Sequence, residues 1–373
     1  AWPRENQSAR DHPLLVQGGY IFKKDKTSLG STAWTTANQG ISIQSADPEA
    51  LSTAQRNYLQ GYINSFETAL YGASSTNPAT GYAKWIDVPS FIDWQWAVEI
   101  SKQIDGYVFS TYFHKDRGGK MKAGPLWDFN ISLGNADYAE GEFRTGWDYD
   151  TTRIAPLNGN LWFPQLHKDP NYRVATFDRY WQLRNSVWST AAIQARIEAV
   201  SELLRDGNPT PVTSSTPLSA QSPAMRQFRR HALLGIRHWP NPADATTRTT
   251  FQAEVAHLKQ WITDRLAWAD NQFLLGSTAM RPPVLTSVNA GNNSVQVSLA
   301  PFRMVQPGFR FPDAEIRYTT DGTDPRPSGY GLPGAVQSVA FLTEYGQGSW
   351  FVPTAANGGS TLALTDWTGI ADP

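Results

Sequence analysis

The chain has 373 residues, of which 40% are hydrophobic and 12% aromatic, enough for one large domain or two or three ordinary ones and too apolar for a disordered protein. Lys plus Arg number 32 against 33 Asp plus Glu, so the net charge of −1 lacks the basic excess that a general nucleic-acid binder needs. No apolar run approaches the roughly 18 residues of a membrane span, and the absence of cysteine excludes a disulfide scaffold, a zinc ribbon and thiol chemistry.

A chain without thiols suits an oxidising compartment, where it cannot mispair. It opens on Ala1 and stops at Pro373, as a processed or fragmentary chain would, so the lack of a leader carries no information.

Residues 1–17 read as loop, and Gly18-Gly19 lead into a strand at 20–23. Alternation predicts a second strand at 40–45. Ser52 and Gln55 form a capping-box pattern ahead of Leu59, Ile63, Phe66 and Leu70, which predicts an amphipathic helix over 53–71 stopped by Gly72. Ser90 and Asp93 repeat the pattern before a helix over 91–104 that is apolar on several sides and therefore buried. Asp105-Gly106 ends it. A hairpin follows, with strands 107–113 and 120–127 joined through Lys115-Asp116-Arg117-Gly118-Gly119.

Residues 131–168 are irregular and rich in Gly, Asp and Trp. Asp169-Pro170 opens a helix to about 189, and further helices are expected near 190–205, 222–236 and 246–274, the last with Phe251, Val255, Leu258, Ile262 and Leu266 on one stripe. Pro282-Pro283 mark a linker at 276–283. Beyond it helical periodicity stops, and strands at 294–299 and 314–320 between Gly and Pro turns predict a small β-sandwich.

The chemistry concentrates at 99–135. Asp105 lies just before the first hairpin strand and Asp128 just after the second, 23 residues later. A hairpin folded at Arg117-Gly118 brings its open ends together, and opposed strand residues have Cβ atoms roughly 5 Å apart. Two carboxylates so placed repel unless a divalent metal with phosphate, or a proton, sits between them. Alternatively each caps a turn through backbone N–H groups. Lys120 and Lys122 would reach phosphate or else line a solvated strand face. Glu99 orients the loop or is a paired helix residue. Arg226, Arg229, Arg230, Arg237 and His238 form a basic cluster that suits a solvated helix face. For Trp127, Trp147, Trp162 and Trp181, core packing is the default and a sugar or nucleotide surface the alternative.

The stretch SFIDWQWAVEISKQIDGYVFSTYFHKDRGGKMKAGPLWDFNISLGN resembles the core signature of the CotH kinase family, atypical protein kinases of the spore-coat type. GGYIFKKDK, LSTAQRNYLQGYINSFETALYG, DPNYRVATFDRYWQLR and WITDRLAWAD resemble flanking blocks in the right order, over about residues 18–275. The resemblance implies a mainly helical, kinase-C-lobe-like α+β domain over 1–275 that uses ATP and Mg²⁺. In it Asp105 is the catalytic base and Asp128 holds the metal. The motifs depart from the kinase pattern: IDG stands for HRD, DFN for DFG, and Ser110 stands where kinases place their second metal-ligand Asn, so that either Asn130 takes over that duty or one metal is handled differently. Kinase-like members carry a nucleotide-covering lobe upstream of GGYIFKKDK, which here begins at residue 18, so this lobe is expected to be missing from the chain.

AEIRYTTDGTDPRPSG at 314–329 resembles the signature of the chitobiase/hexosaminidase C-terminal-like domain, an immunoglobulin-like sandwich, over about 284–373. It implies a secreted or cell-surface bacterial protein. The two readings that follow are a kinase that phosphorylates Ser or Thr of a surface or coat protein, and a catalytically inactive structural or adhesive surface protein on the same scaffold. A carbohydrate-binding surface protein is the third. Partners would be surface or coat proteins, with homo- or hetero-assembly at the cell surface, and neither nucleic acid nor a membrane span is expected.

Overall fold

The protein is described by a computed structural model at residues 15–149, 151–157, 159–207, 210–217 and 222–275, and in strands at 284–291, 294–300, 315–318 and 337–340. The chain divides into two compact units, 1–270 and 271–373. The first is α+β, with helices around one small antiparallel sheet.

The sheet has five strands in the order β2-β3-β1-β4-β5: β1 Tyr20–Lys24, β2 Ala33–Thr35, β3 Ser42–Asp47, β4 Thr111–Lys115 and β5 Met121–Ala123. β1 lies between β3 and β4, with Ile21 opposite His114 and Phe22 opposite Phe113. Gly18 is required at the start of β1, because a Cβ there would come within 2.0 Å of the Arg117 amide nitrogen. The short strand β2 escapes sequence reading, since three residues carry too little alternation to register.

The first helix, α1 (Thr53–Tyr71), has the capping box expected of it: the Gln55 N–H donates to Ser52 Oγ and the Ser52 N–H to Gln55 Oε1. The second, α2 (Val88–Ser101), starts three residues before the expected position. Asp87 is its cap, accepting from the Ser90 N–H at 2.9 Å, and Pro89 occupies the first turn where no N–H is needed. Ser90 instead donates its hydroxyl to the Asp87 carbonyl, and Asp93 pairs with Arg179 on the surface. The helix stops at Lys102, whose φ of 49° is left-handed.

The region 131–168 is less irregular than expected, holding α3 (Thr151–Ile154), a 3-10 turn at Ala155–Leu157 and α4 (Trp162–Leu166). Asp169 and Pro170 start α5 (Pro170–Arg184), which ends five residues early because Ser189 caps a separate helix, α6 (Thr190–Arg205). α7 (Pro223–Arg230) stops six residues short of the expected 236, and α8 (Phe251–Leu275) begins after a 3-10 turn at Ala243–Thr247.

The core is aromatic. Phe22, Phe66, Phe91, Phe113, Trp162 and Phe163 are fully buried, with neighbouring ring centroids 5.1–6.4 Å apart. Trp162 and Trp181 are core residues and Trp147 packs on Trp96 and Trp268, whereas Trp127 is half exposed.

A buried charge cluster joins α2 to α8. Arg265, fully buried, donates from Nε and Nη2 to the Glu99 carbonyl and from Nη1 to the Arg144 and Gly146 carbonyls. Its guanidinium lies 3.9 Å from the Glu99 carboxylate and is flanked by the Trp147 and Trp268 rings. Glu99 accepts from Tyr107 Oη and from the Asp148 and Tyr149 amides. Asp148 takes Arg153 at 2.9 Å and Lys102 at 3.5 Å. Burial, with the Asp148 charge, pushes the Glu99 carboxyl up to about 7 despite these donors.

In the second unit β6 (Val284–Gly291) pairs antiparallel with β7 (Ser294–Ala300), and β8 (Glu315–Tyr318) with β9 (Gln337–Ala340). The linker expected at 276–283 and the turn after Tyr318 lie outside the described residues.

Arg265→Leu is expected to cost about 3–5 kcal/mol in thermal or urea unfolding, because it strands the buried Glu99 carboxylate. An Arg265→Leu/Glu99→Leu double variant should recover part of that loss.

A second measurement tests His167. Burial, reinforced by the Arg173 charge, pushes its imidazole down to about 3, and it sits 2.5 Å from Gln95 Nε2 and stacks on Tyr149. The unfolded chain binds a proton at this ring near pH 6.5 while the folded chain does not until about pH 3. The ring's contribution to stability is therefore complete above about pH 6.5 and falls by about 1.4 kcal/mol per unit as the pH drops towards 3. His167→Gln should flatten the pH dependence of unfolding over that window relative to the wild type.

Candidate active site

The segment between α2 and β4 is a turn rather than the expected strand from 107, and β4 begins only at Thr111. The reason is conformational: Tyr107 and Ser110 have φ of 68° and 50°, left-handed values that no strand tolerates. Tyr107 turns inward to Glu99, and the Asp105 carbonyl accepts from the Val108 and Phe109 amides. β5 is shorter still, because Gly124 has a φ of 123° and Pro125 has no N–H to continue the ladder.

Asp128 then follows in a left-handed conformation, φ 60°, on an exposed loop, while Asp105 is half-buried. Gln103 holds the two together. Its buried side chain accepts at Oε1 from the Asp105 and Gly106 amides, at 2.6 and 3.0 Å, and donates from Nε2 to the Asp128 carbonyl at 3.1 Å. One amide thus fastens both ends of the hairpin.

A third carboxylate joins them. Asp25, just past β1, accepts at Oδ1 from the Ser110 and Lys26 amides and pairs through Oδ2 with Lys23 at 3.2 Å. Burial raises the Asp105 pKa, Lys26 opposes it, and the Asp128 and Asp25 charges add to the rise. Asp25, Lys26, Asp105 and Asp128 therefore share one electrostatic field. Tyr138 belongs to the same neighbourhood: burial raises its phenol, with the Asp105 and Asp137 charges contributing, and its ring stacks on the exposed Trp239.

The other sequence candidates fall elsewhere. Lys120 sits at the closed end of the hairpin, where its ammonium donates to the Ala83 carbonyl at 2.6 Å, and Lys122 stands opposite His114 within the ladder. Lys120 is not brought to the aspartates. Asn130 is exposed two residues past Asp128; its carbonyl accepts from Asn135 Nδ2, and it lines a groove between the 129–135 loop and α8. Glu99 is a paired core residue. Arg237 of the basic cluster pairs with Asp137, and Arg226, Arg229 and Arg230 are exposed on α7.

Gln103, Asp25, Lys26 and Tyr138 were not singled out in sequence. GGYIFKKDK contains two of them, but no spacing rule links that block to a turn some 80 residues later.

The family model for the CotH kinase protein matches residues 4–269, and the chain belongs to that family. No curated protein and no solved structure matches it significantly. A kinase-type domain implies ATP and metal use. Among the described residues no group of three or more His, Asp or Glu is arranged to hold a metal alone.

Gln103→Met is expected to cost about 1–3 kcal/mol in unfolding, since the Asp105 amide and the Asp128 carbonyl lose their side-chain partner while the Gly106 amide keeps the Gln103 carbonyl. Hydrogen exchange at the Asp105 amide should accelerate more than exchange in α1.

Proposed function

We propose that this protein is a CotH-type kinase that moves the γ-phosphate of ATP onto Ser or Thr of a surface or coat protein. The observation that carries the reading is the Gln103 clamp, which holds Asp105 and Asp128 in fixed relation at the open end of one hairpin. In the transfer the acceptor hydroxyl oxygen bonds to the γ-phosphorus, the bond to the β-bridging oxygen breaks, ADP leaves, and the hydroxyl proton passes to the Asp105 carboxylate. The raised pKa of Asp105 suits that role, because a more basic carboxylate is a better proton acceptor provided it remains ionised at the working pH. Asp128, with Asn130 beside it, would hold Mg²⁺, which when bound neutralises phosphate charge. Pre-fixed geometry counts because little covalent chemistry is asked of a kinase beyond positioning and charge stabilisation.

The second unit enters the reading through its antiparallel strand pairs, which suit an immunoglobulin-like sandwich of the chitobiase C-terminal type. Such a module favours a secreted or cell-surface bacterial protein, with assembly among surface partners. No helix among the described residues is long and apolar enough to cross a membrane.

A structural or adhesive surface protein on the same scaffold is the second reading. It is favoured by Ser110, buried and tied through its amide to Asp25 at the position where a second metal-ligand Asn would stand.

Calorimetry with Mg-ATP and labelled-phosphate transfer to a Ser-rich peptide separate the two. Asp128→Asn should abolish Mg-ATP binding, since a neutral amide is a poor ligand for a hard cation. Asp105→Asn should leave binding nearly intact and cut transfer by roughly 10²–10⁴-fold. A wild-type protein that binds no Mg-ATP at millimolar concentration would leave the structural reading in place.

A further inference from the structure

We propose that Lys26 is the ammonium that receives the phosphate groups of a nucleoside triphosphate at the open end of the hairpin, an assignment that builds on the kinase reading above. Three carboxylates, Asp25, Asp105 and Asp128, share this end of the domain, and a polyanion cannot approach them without a compensating cation.

The neighbouring cations are already committed. Lys23 pairs with Asp25 and donates to Ser28 Oγ. Lys24 is buried and donates to the Val108 carbonyl at 2.6 Å. Arg153 is taken up by Asp148 and the Ala139 and Ile104 carbonyls. Lys120 is bonded at the far end of the hairpin.

Lys26 differs from all of these. It is exposed, and among the described residues its ammonium makes neither an ion pair nor a hydrogen bond; it stands 5.5 Å from the centroid of the Phe109 ring, four residues past Asp105. Its position is nevertheless fixed. The Lys26 amide is held by Asp25 Oδ1, which also holds the Ser110 amide, and Lys24 grips Val108 from the preceding position. The end of β1 is therefore fastened to the Asp105 turn at two successive residues, Lys24 and Asp25, and the Lys26 charge projects from the residue that follows. That is the arrangement a phosphate needs: a cation whose backbone is pre-positioned and whose donors are unspent. The phosphate-binding role expected of Lys120 and Lys122 on the hairpin passes to a residue just past the end of β1.

The test titrates the wild-type chain, Lys26→Met and Lys26→Arg with Mg-ATP, Mg-pyrophosphate and adenosine by calorimetry, with phosphate transfer and thermal unfolding measured alongside. Lys26→Met should weaken both phosphate ligands by about 10- to 100-fold, the usual worth of a hydrogen bond to a charged group. It should leave adenosine binding and the melting temperature unchanged, and Lys26→Arg should restore most of the affinity. Phosphate affinities in Lys26→Met within about twofold of wild type would overturn the assignment and leave the kinase reading standing. Lys26-dependent pyrophosphate binding without any phosphate transfer would keep the assignment and remove the kinase reading. A wild-type protein that binds neither ATP nor pyrophosphate would overturn both.

Discussion

The buried contact between Arg265 and Glu99 is the constraint on which the domain depends. A charge taken out of water must have its partners in place, or the penalty runs to several kcal/mol. Here the partners come from every quarter of the fold: the end of α2, the 144–149 loop, Tyr107 and α8. None of these elements can shift without stranding a charge or a carbonyl. The cluster therefore fixes where α2 stops, and with it the four residues that lead from Glu99 to Gln103.

Gln103 passes that constraint on to the site. The residues around it are conformationally expensive: Lys102, Tyr107, Ser110, Asp128 and Leu133 all hold left-handed φ between 49° and 68°. Each such residue costs on the order of 1 kcal/mol or more and persists only where its surroundings impose it. The imposing contacts are named side chains: Gln103 on Asp105, Gly106 and Asp128, Asp25 on Ser110, Tyr107 on Glu99. Strain concentrated beside two acidic residues is the pattern of a pre-organised site. The geometry of this turn is thereby settled during folding.

The helices that announce themselves locally were legible in the sequence. Ser52 with Gln55 and Asp169 with Pro170 place the starts of α1 and α5, because capping is a contact within four residues. α2 was displaced by three residues because two capping signals overlap, and the Asp87 cap with Pro89 in the first turn prevailed over Ser90. The hairpin was placed correctly at its turn and wrongly at its open end. Its turn is set by Gly118 and Gly119, whereas Tyr107 is pulled out of the strand by a carboxylate on another element.

The pair of aspartates was visible as spacing alone, 23 residues across a hairpin. The sequence by itself determined the family, the α+β character of the first unit and the two carboxylates at one hairpin's ends, since periodicity, caps and turns are local. Only the tertiary structure decided which other residues join them. Asp25 and Lys26 arrive just past the end of β1, which pairs with β4 some 90 residues away, and Gln103 acquires its role only once α2 ends in a left-handed turn. Lys120 was drawn to the opposite end by the same hairpin geometry that brought the aspartates together. Such contacts depend on strand register and buried charge, and neither leaves a periodic mark along the chain.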